Sequence, residues 1–259
     1  MLKGLLSAIG AYKLYERWLW NQIKNEKMPE HIAIILDGNR RWASGRLYES
    51  WIGHKYGAER ASQLLDWCLD LGVRCVTLYS FSTENFHRTE REVEEILFLV
   101  EQKLREILTD ERIRVNEVRV KVIGRTSLLP KRLQELIRKV EDMTKTYDKQ
   151  FLTVALAYGG RAEIVDAAKK IAEKVVRGEL QIDKIDEEVF EKSLYTSHMP
   201  KDPDLIIRTS GEERLSGFLL WQSAYSELCF LDVHWPDFRR IDLLRAVRTY
   251  QHRKRRFGK

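Results

Sequence analysis

Cysteine is scarce in this 259-residue chain, and Cys68, Cys75 and Cys229 are odd in number with no CxxC spacing. That excludes a disulfide framework and disfavours a zinc site, leaving the cysteines as reduced packing residues of a cytosolic protein. No Pro-, Gly- or Ser-rich linker interrupts the sequence, no segment repeats, and nothing is of low complexity. One large domain is therefore expected rather than several small ones. Neither GxxxxGKS/T nor GxGxxG occurs, which disfavours P-loop and dinucleotide chemistry. No apolar run is long and uncharged enough to span a bilayer: Lys13, Glu16 and Arg17 break the apolar beginning, which also makes a poor signal peptide.

What the chain does carry is positive charge. Its 45 Lys and Arg exceed 39 Asp and Glu, giving +6 and a pI near 9.1. Such a balance favours anionic partners, whether nucleic acid, phosphorylated substrates or acidic lipid. Residues 1–27 read as an appended amphipathic extension, with residues 28–259 as the main domain. Leu2, Leu5, Leu6, Ile9, Tyr12, Leu19 and Ile23 fall near one helical stripe, while Lys3, Lys13, Arg17, Lys24 and Lys27 punctuate it. A helix lying peripherally on a membrane surface, with Trp18 and Trp20 at the interface, fits this pattern. A helix docked on its own domain fits it equally.

Apolar, β-branched runs near residues 32–36, 73–79, 118–123, 151–157, 204–207 and 227–233 alternate with helical patterns. Together they predict a single α/β domain whose central, mostly parallel sheet of about six strands is covered by helices on both faces. Asp37-Gly38-Asn39 breaks the first run, so a carboxylate follows a strand's C-terminal end, where open α/β sheets bind ligands. One acid beside Arg40, Arg41 and the start of a helix suits a magnesium-bridged phosphate; Asp37 merely capping that helix is the plain alternative. Arg88, Arg161, Arg208 and Arg214 also follow strand ends, so folding would collect six arginines on one rim. That is too many for one phosphate and points to two diphosphates. Thr89 and Glu92 form a T-x-x-E capping box for a long helix, whose wide apolar face could be plain core or a cavity wall.

The ordered segments HIAIILDGNRRW, GHKYGAER, LYSFSTENFHR, YGGR, LIIRTSGEERLSGFLLWQSAYSEL, WPDF and RRFG resemble the cis-prenyltransferase family, the undecaprenyl and dehydrodolichyl diphosphate synthases. The resemblance covers nearly all of residues 28–258. The doubled arginine of DGNRRW and the apolar extension are more similar to archaeal and eukaryotic members than to most bacterial ones.

This resemblance implies an enzyme that joins isopentenyl diphosphate repeatedly, with cis geometry, to a farnesyl or geranylgeranyl diphosphate starter, making a glycosyl-carrier lipid precursor. It implies that Asp37 carries Mg2+ and assists pyrophosphate departure, with Glu227 contributing to the metal environment. Gly38, Asn39, Arg40, Arg41 and His54 would cradle the allylic diphosphate, with Trp42 also among the substrate-binding residues. Asn85 would lie at the reacting centre beside Arg88, with Ser82, Thr83, Glu84 and Phe86 in the substrate-binding stretch. Arg208, Arg214 and Ser216 would hold isopentenyl diphosphate. Arg256 and Gly258 match an RxG ending that reaches a neighbouring subunit's site, so a homodimer is implied. The growing chain needs an apolar tunnel, and the helix following Thr89, with Leu64 and the strand faces, could wall it. A nucleic-acid module would interleave aromatics with an exposed basic run, whereas here the arginines sit at strand ends. A trans-prenyltransferase would need paired aspartate-rich motifs, and no DDxxD occurs.

Overall fold

The computed structural model describes residues 10–253. Its core is one parallel sheet of β1 (His31–Ile35), β2 (Cys75–Ser82), β3 (Val118–Ile123), β4 (Gln150–Tyr158), β5 (Leu205–Thr209) and β6 (Glu227–Leu231). The spatial order is β3-β4-β2-β1-β5-β6, with every pairing parallel. The predicted α/β architecture is thus present. β1 is buried at all five positions, as expected of an apolar strand covered on both faces.

Helices α1 (Ala11–Ile23), α2 (Asn39–Ser44), α3 (Ser50–Asp70), α4 (Glu90–Thr109), α5 (Glu111–Val115), α6 (Lys131–Thr144), α7 (Gly160–Val176), α8 (Glu187–Glu191) and α9 (Arg240–His252) complete the described residues. Ile32, Ile34, Val76, Leu78, Val120 and Leu152 face the larger core with α3, α4, α6 and α9. Ala33, Ile35, Tyr79, Ala155 and Ile206 face a smaller one closed by Phe218 and Leu219.

The chain turns one way from β1, toward β2, and the other way from β5, toward β6, so β1 and β5 flank a topological switch point. Ligands of open parallel sheets bind in the crevice beyond such a pair. Asp37 follows β1, and Arg208 is the fourth residue of β5, in register with Ile35. The sequence pattern ends the fifth strand at 207. Instead the strand continues through Arg208 and Thr209, because both polar side chains find partners inside: Thr209 Oγ1 donates to the Asp37 carbonyl at 2.6 Å, and Arg208 to Asp37 itself.

Helix α3 begins at Ser50, three residues before Gly53, where the sequence suggests that it starts. Two glycines inside it are a packing device. A Cβ on Gly53 would lie 2.1 Å from the Asn39 carbonyl oxygen, and one on Gly57 2.2 Å from Asn39 Oδ1. Their absence of side chains lets α3 press against the loop after β1, outweighing glycine's poor helix propensity of about 1 kcal/mol.

Helix α1 buries Leu19 and Ile23 completely and packs along α9. Arg245 and Arg248 lie over the Tyr15 and Trp18 rings at 5.0 and 5.2 Å. Leu14 and Trp18 remain exposed. Of the expected stripe, Leu2, Leu5, Leu6 and Ile9 lie outside the described residues. No described helix is long and apolar enough to cross a membrane. The three cysteines are buried free thiols, and desolvation pushes Cys68 up to about 12, far from a reactive thiolate.

Candidate active site

Beyond β1 the backbone makes a left-handed turn at Gly38, φ +104°, which any side chain would strain; a Cβ there would also strike His234. The turn presents Asp37 to Arg208, whose Nη2 donates to Oδ2 at 2.8 Å, and to Arg41, whose Nη2 donates to Oδ1 at 3.3 Å. Burial alone would raise the Asp37 pKa. The Arg208 hydrogen bond and charge, with Arg41, outweigh it and hold the carboxyl below its usual range. Asp37 is therefore ionised at neutral pH.

The Arg208 guanidinium also donates through Nη1 to the Arg214 carbonyl and to Ser216 Oγ, the latter at 2.9 Å. It thereby fixes the loop that follows β5. Its Nε is buried without a protein partner, a donor left over in a residue that lines the cavity. Glu212 joins Arg41, at 2.9 Å, to Arg214.

A second set of basic side chains gathers on Glu92, the third residue of α4. Arg88 Nη1 donates to Oε1 at 2.9 Å, His54 Nε2 lies 3.3 Å away, and Arg40 Nε 3.8 Å. The expected capping box is therefore only half made. Thr89 Oγ1 accepts from the Glu92 amide, but the Glu92 carboxylate turns to Arg88, His54 and Arg40 instead of reaching back. Burial lowers the His54 pKa, with Glu92 opposing and Arg88 assisting, so the imidazole is neutral at pH 7.

Between these clusters Asn85 anchors a single helical turn over Thr83–His87, its Oδ1 accepting from the Ser82 amide at 3.0 Å. The amide nitrogen is left as a donor at the cavity wall.

A cavity of about 980 Å³ opens at this corner. Asp37, Asn39, His54, Asn85, Arg88 and Arg208 line its polar end, together with Ser82, Thr83, Glu84, Arg161 and Ser216. From there it runs under the sheet beside β2, between α3 and α4, with Leu65, Leu78, Val100, Leu104 and Ile107 in its wall. Leu65 faces the cavity where Leu64 was expected; Leu64 is wholly inside the core.

Several predicted residues stand elsewhere. Arg40, Arg41 and Arg214 form the outer rim through Glu92 and Glu212. Trp42 does not line the cavity: it is buried against Tyr56, centroids 5.0 Å apart, with Arg46 over its ring. Phe86 packs edge-on against Phe81. Glu227 is not brought to Asp37 within this chain, because parallel pairing with Leu205 puts it at the opposite end of the strands, where Arg253 binds it at 2.9 Å. Arg256 and Gly258 lie outside the described residues. Sequence reasoning missed the roles of Glu92 and Glu212 as organisers of cations. The i, i+4 spacing of Arg88 and Glu92 was the available signal.

Among the described residues no three His, Cys, Asp or Glu side chains converge to hold a metal unaided. The donor set nevertheless suits Mg2+, which is bound by one or two carboxylates with substrate phosphates completing the shell. Asp37 is the carboxylate held between Arg208 and Arg41 at this corner.

Residues 35–258 match the family model described as putative undecaprenyl diphosphate synthase. A relative from Methanocaldococcus jannaschii is 55% identical over 251 residues, covering 96% of this chain and 90% of its own length. One from Pyrococcus abyssi is 50% identical over 265 residues and all of both chains. Both are called tritrans,polycis-undecaprenyl-diphosphate synthase (geranylgeranyl-diphosphate specific). The crystal structure of lavandulyl diphosphate synthase from Lavandula x intermedia, in complex with dimethylallyl diphosphate, superposes with a TM-score of 0.86 at 38% identity, covering 90% of this chain and 99% of that one. A probable undecaprenyl diphosphate synthase from Campylobacter jejuni gives 0.72 at 32%, covering 90% and 100%.

Proposed function

This chain belongs to the undecaprenyl diphosphate synthase family, and on that footing we infer that it is a cis-prenyltransferase that extends geranylgeranyl diphosphate with successive isopentenyl units. The observation that carries the reading is the Asp37 corner: one ionised carboxylate between two guanidiniums, opening onto a cavity with Leu65, Leu78, Val100, Leu104 and Ile107 in its wall. Charge at one end and hydrocarbon lining at the other suit a molecule built the same way.

Arg41, Asn39 and His54 take the allylic diphosphate, with Arg40 and Arg88 close by, while Arg208, Arg214 and Ser216 take isopentenyl diphosphate. Mg2+ held by Asp37 would neutralise the leaving diphosphate. The allylic carbon–oxygen bond then breaks with its electron pair going to the diphosphate. The isopentenyl double bond forms the new carbon–carbon bond, and a proton leaves the adjacent carbon. Asn85, its oxygen occupied by the Ser82 amide, donates from its nitrogen to the departed diphosphate, whose oxygens receive that proton. The cations are fixed before substrate arrives, so little reorganisation is needed as negative charge develops. The apolar wall keeps water from the allylic cation.

Purified protein supplied with Mg2+, geranylgeranyl diphosphate and labelled isopentenyl diphosphate is expected to give a solvent-extractable product of many added units. Label remaining in the aqueous phase would refute the reading. By the family resemblance the protein acts as a homodimer, with the Arg256–Gly258 end completing the neighbour's site. Its sedimentation is then expected at twice the 30.6 kDa chain mass.

Peripheral association with a membrane surface belongs to the same reading. Exposed Leu14 and Trp18, beside Lys13, Arg17 and Arg248, offer apolar and cationic groups on one helix pair. Leu14→Ser with Trp18→Ser is expected to lower partitioning onto phosphatidylglycerol vesicles several-fold while leaving turnover in detergent unchanged. Equal partitioning of variant and parent would remove this face from consideration.

A further inference from the structure

One buried hydroxyl at the cavity has no part in the chemistry above. Tyr79 is the fifth residue of β2 and lines the cavity. Its ring is stacked on Phe218, centroids 4.6 Å apart and planes within 9°, and meets the Tyr158 ring edge-on. Its hydroxyl lies 3.3 Å from the Tyr158 carbonyl oxygen and 3.4 Å from that of Ser216, so one donor is shared between the loop after β4 and the loop after β5. The Ser82 side chain bonds the same phenolic oxygen. Burial raises the phenol's pKa, so the group stays a donor.

The loop it reaches is strained. Ser216, Gly217 and Leu219 all take left-handed backbone, φ +48°, +79° and +46°, a conformation that side-chain-bearing residues keep only where their surroundings fix it. Gly217 is tied by its carbonyl, which accepts from the Gly160 amide at 2.8 Å. Ser216 is tied twice: Arg208 donates to its Oγ at 2.9 Å, and Tyr79 to its carbonyl. Having accepted from Arg208, the Ser216 hydroxyl keeps its own proton for an anionic oxygen arriving in the cavity.

We infer that Tyr79 is a positioning residue for isopentenyl diphosphate, acting through Ser216: its hydroxyl keeps the Ser216 backbone in the left-handed turn that aims Oγ at the diphosphate. The inference rests on the functional reading above, in which Ser216 takes that substrate. Without the phenolic donor the Ser216 carbonyl loses this tie, and the residue relaxes toward ordinary backbone, carrying Oγ away from Arg208 and from the substrate. The allylic diphosphate, gathered by Arg41, Asn39 and His54 on other elements, does not feel the change.

Tyr79→Phe keeps the ring and its stack on Phe218 while removing the donor. It is expected to raise the KM for isopentenyl diphosphate about 3–10-fold, the worth of one neutral hydrogen bond, with kcat and the KM for geranylgeranyl diphosphate within about twofold of the parent. A general loosening of the core would lower the melting midpoint without choosing one substrate. In a double-mutant cycle, Tyr79→Phe added to Ser216→Ala should raise that KM by less than about twofold further, because the group being positioned is already gone. An unchanged KM in Tyr79→Phe, equal rises for both substrates, or full additivity with Ser216→Ala overturns the positioning role and leaves the prenyltransferase reading standing. If Ser216→Ala alone keeps the parent's KM, the placement of isopentenyl diphosphate at Ser216 falls, and the role of Tyr79 with it.

Discussion

Asp37→Asn is expected to lower turnover by roughly 10²–10³-fold, the usual loss when one preorganised stabiliser of developing charge is removed. The substitution keeps the side chain's volume but offers one acceptor oxygen where the carboxylate has two, so the hydrogen bond to Arg208 can be kept while that to Arg41 is lost. What it removes is the negative charge. In the native site that charge persists at neutral pH because two guanidiniums hold the carboxyl below its usual range. A neutral amide is a poor Mg2+ ligand, and Arg208 would then face no carboxylate of its own, while Arg41 keeps Glu212. Diphosphate binding could even tighten while bond breaking slows, because ground-state attraction and transition-state stabilisation are separate quantities. Initial rates of labelled isopentenyl incorporation at saturating substrate, with a thermal melt to show that the fold survives, measure the effect. A variant with the parent's rate would remove Asp37 from the chemistry.

The sheet was legible because strands covered on both faces write themselves as short apolar runs. The strand at Val118–Ile123 falls where its pattern places it, and the alternation with helices leaves little choice but a parallel order. The meeting of Asp37 and Arg208 at one corner was legible for a related reason: polar residues at the end of a buried strand have one place to go. Pattern reading failed where a residue's partner is distant in sequence. Arg208 was placed beyond its strand because a guanidinium inside a sheet looks wrong until Asp37, 171 residues away, is there to meet it. Gly53 reads as the start of a helix until Asn39 is packed against it and shows it to lie inside one. Glu92 was read as a cap from its neighbours in sequence, and its actual contacts with His54 and Arg40 come from other elements. Glu227 was carried over from a family motif, and motif order alone does not say which end of a strand a residue occupies.

Arg208→Ala carries the second large expectation, on binding and stability together. The side chain is 5% exposed and donates to three groups, and its loss leaves the Asp37 carboxylate facing Arg41 alone. Removing one partner of a fully buried ion pair costs about 3–5 kcal/mol. Asp37 retains 28% exposure and can be rehydrated, so roughly 2–3 kcal/mol is expected, read as a lowered denaturation midpoint. The KM for isopentenyl diphosphate should rise about 10–100-fold, since charge-assisted hydrogen bonds contribute roughly 1.5–3 kcal/mol and each 1.4 kcal/mol is a factor of ten. Arg208→Lys separates the two effects. An ammonium on that stem can still meet Asp37, which should restore most of the stability. It cannot reach Asp37, the Arg214 carbonyl and Ser216 at once, so the loop after β5 loses its tie and KM stays high. If Lys rescued KM as fully as it rescued stability, the fork geometry would be irrelevant, and Arg208 would act through its charge alone.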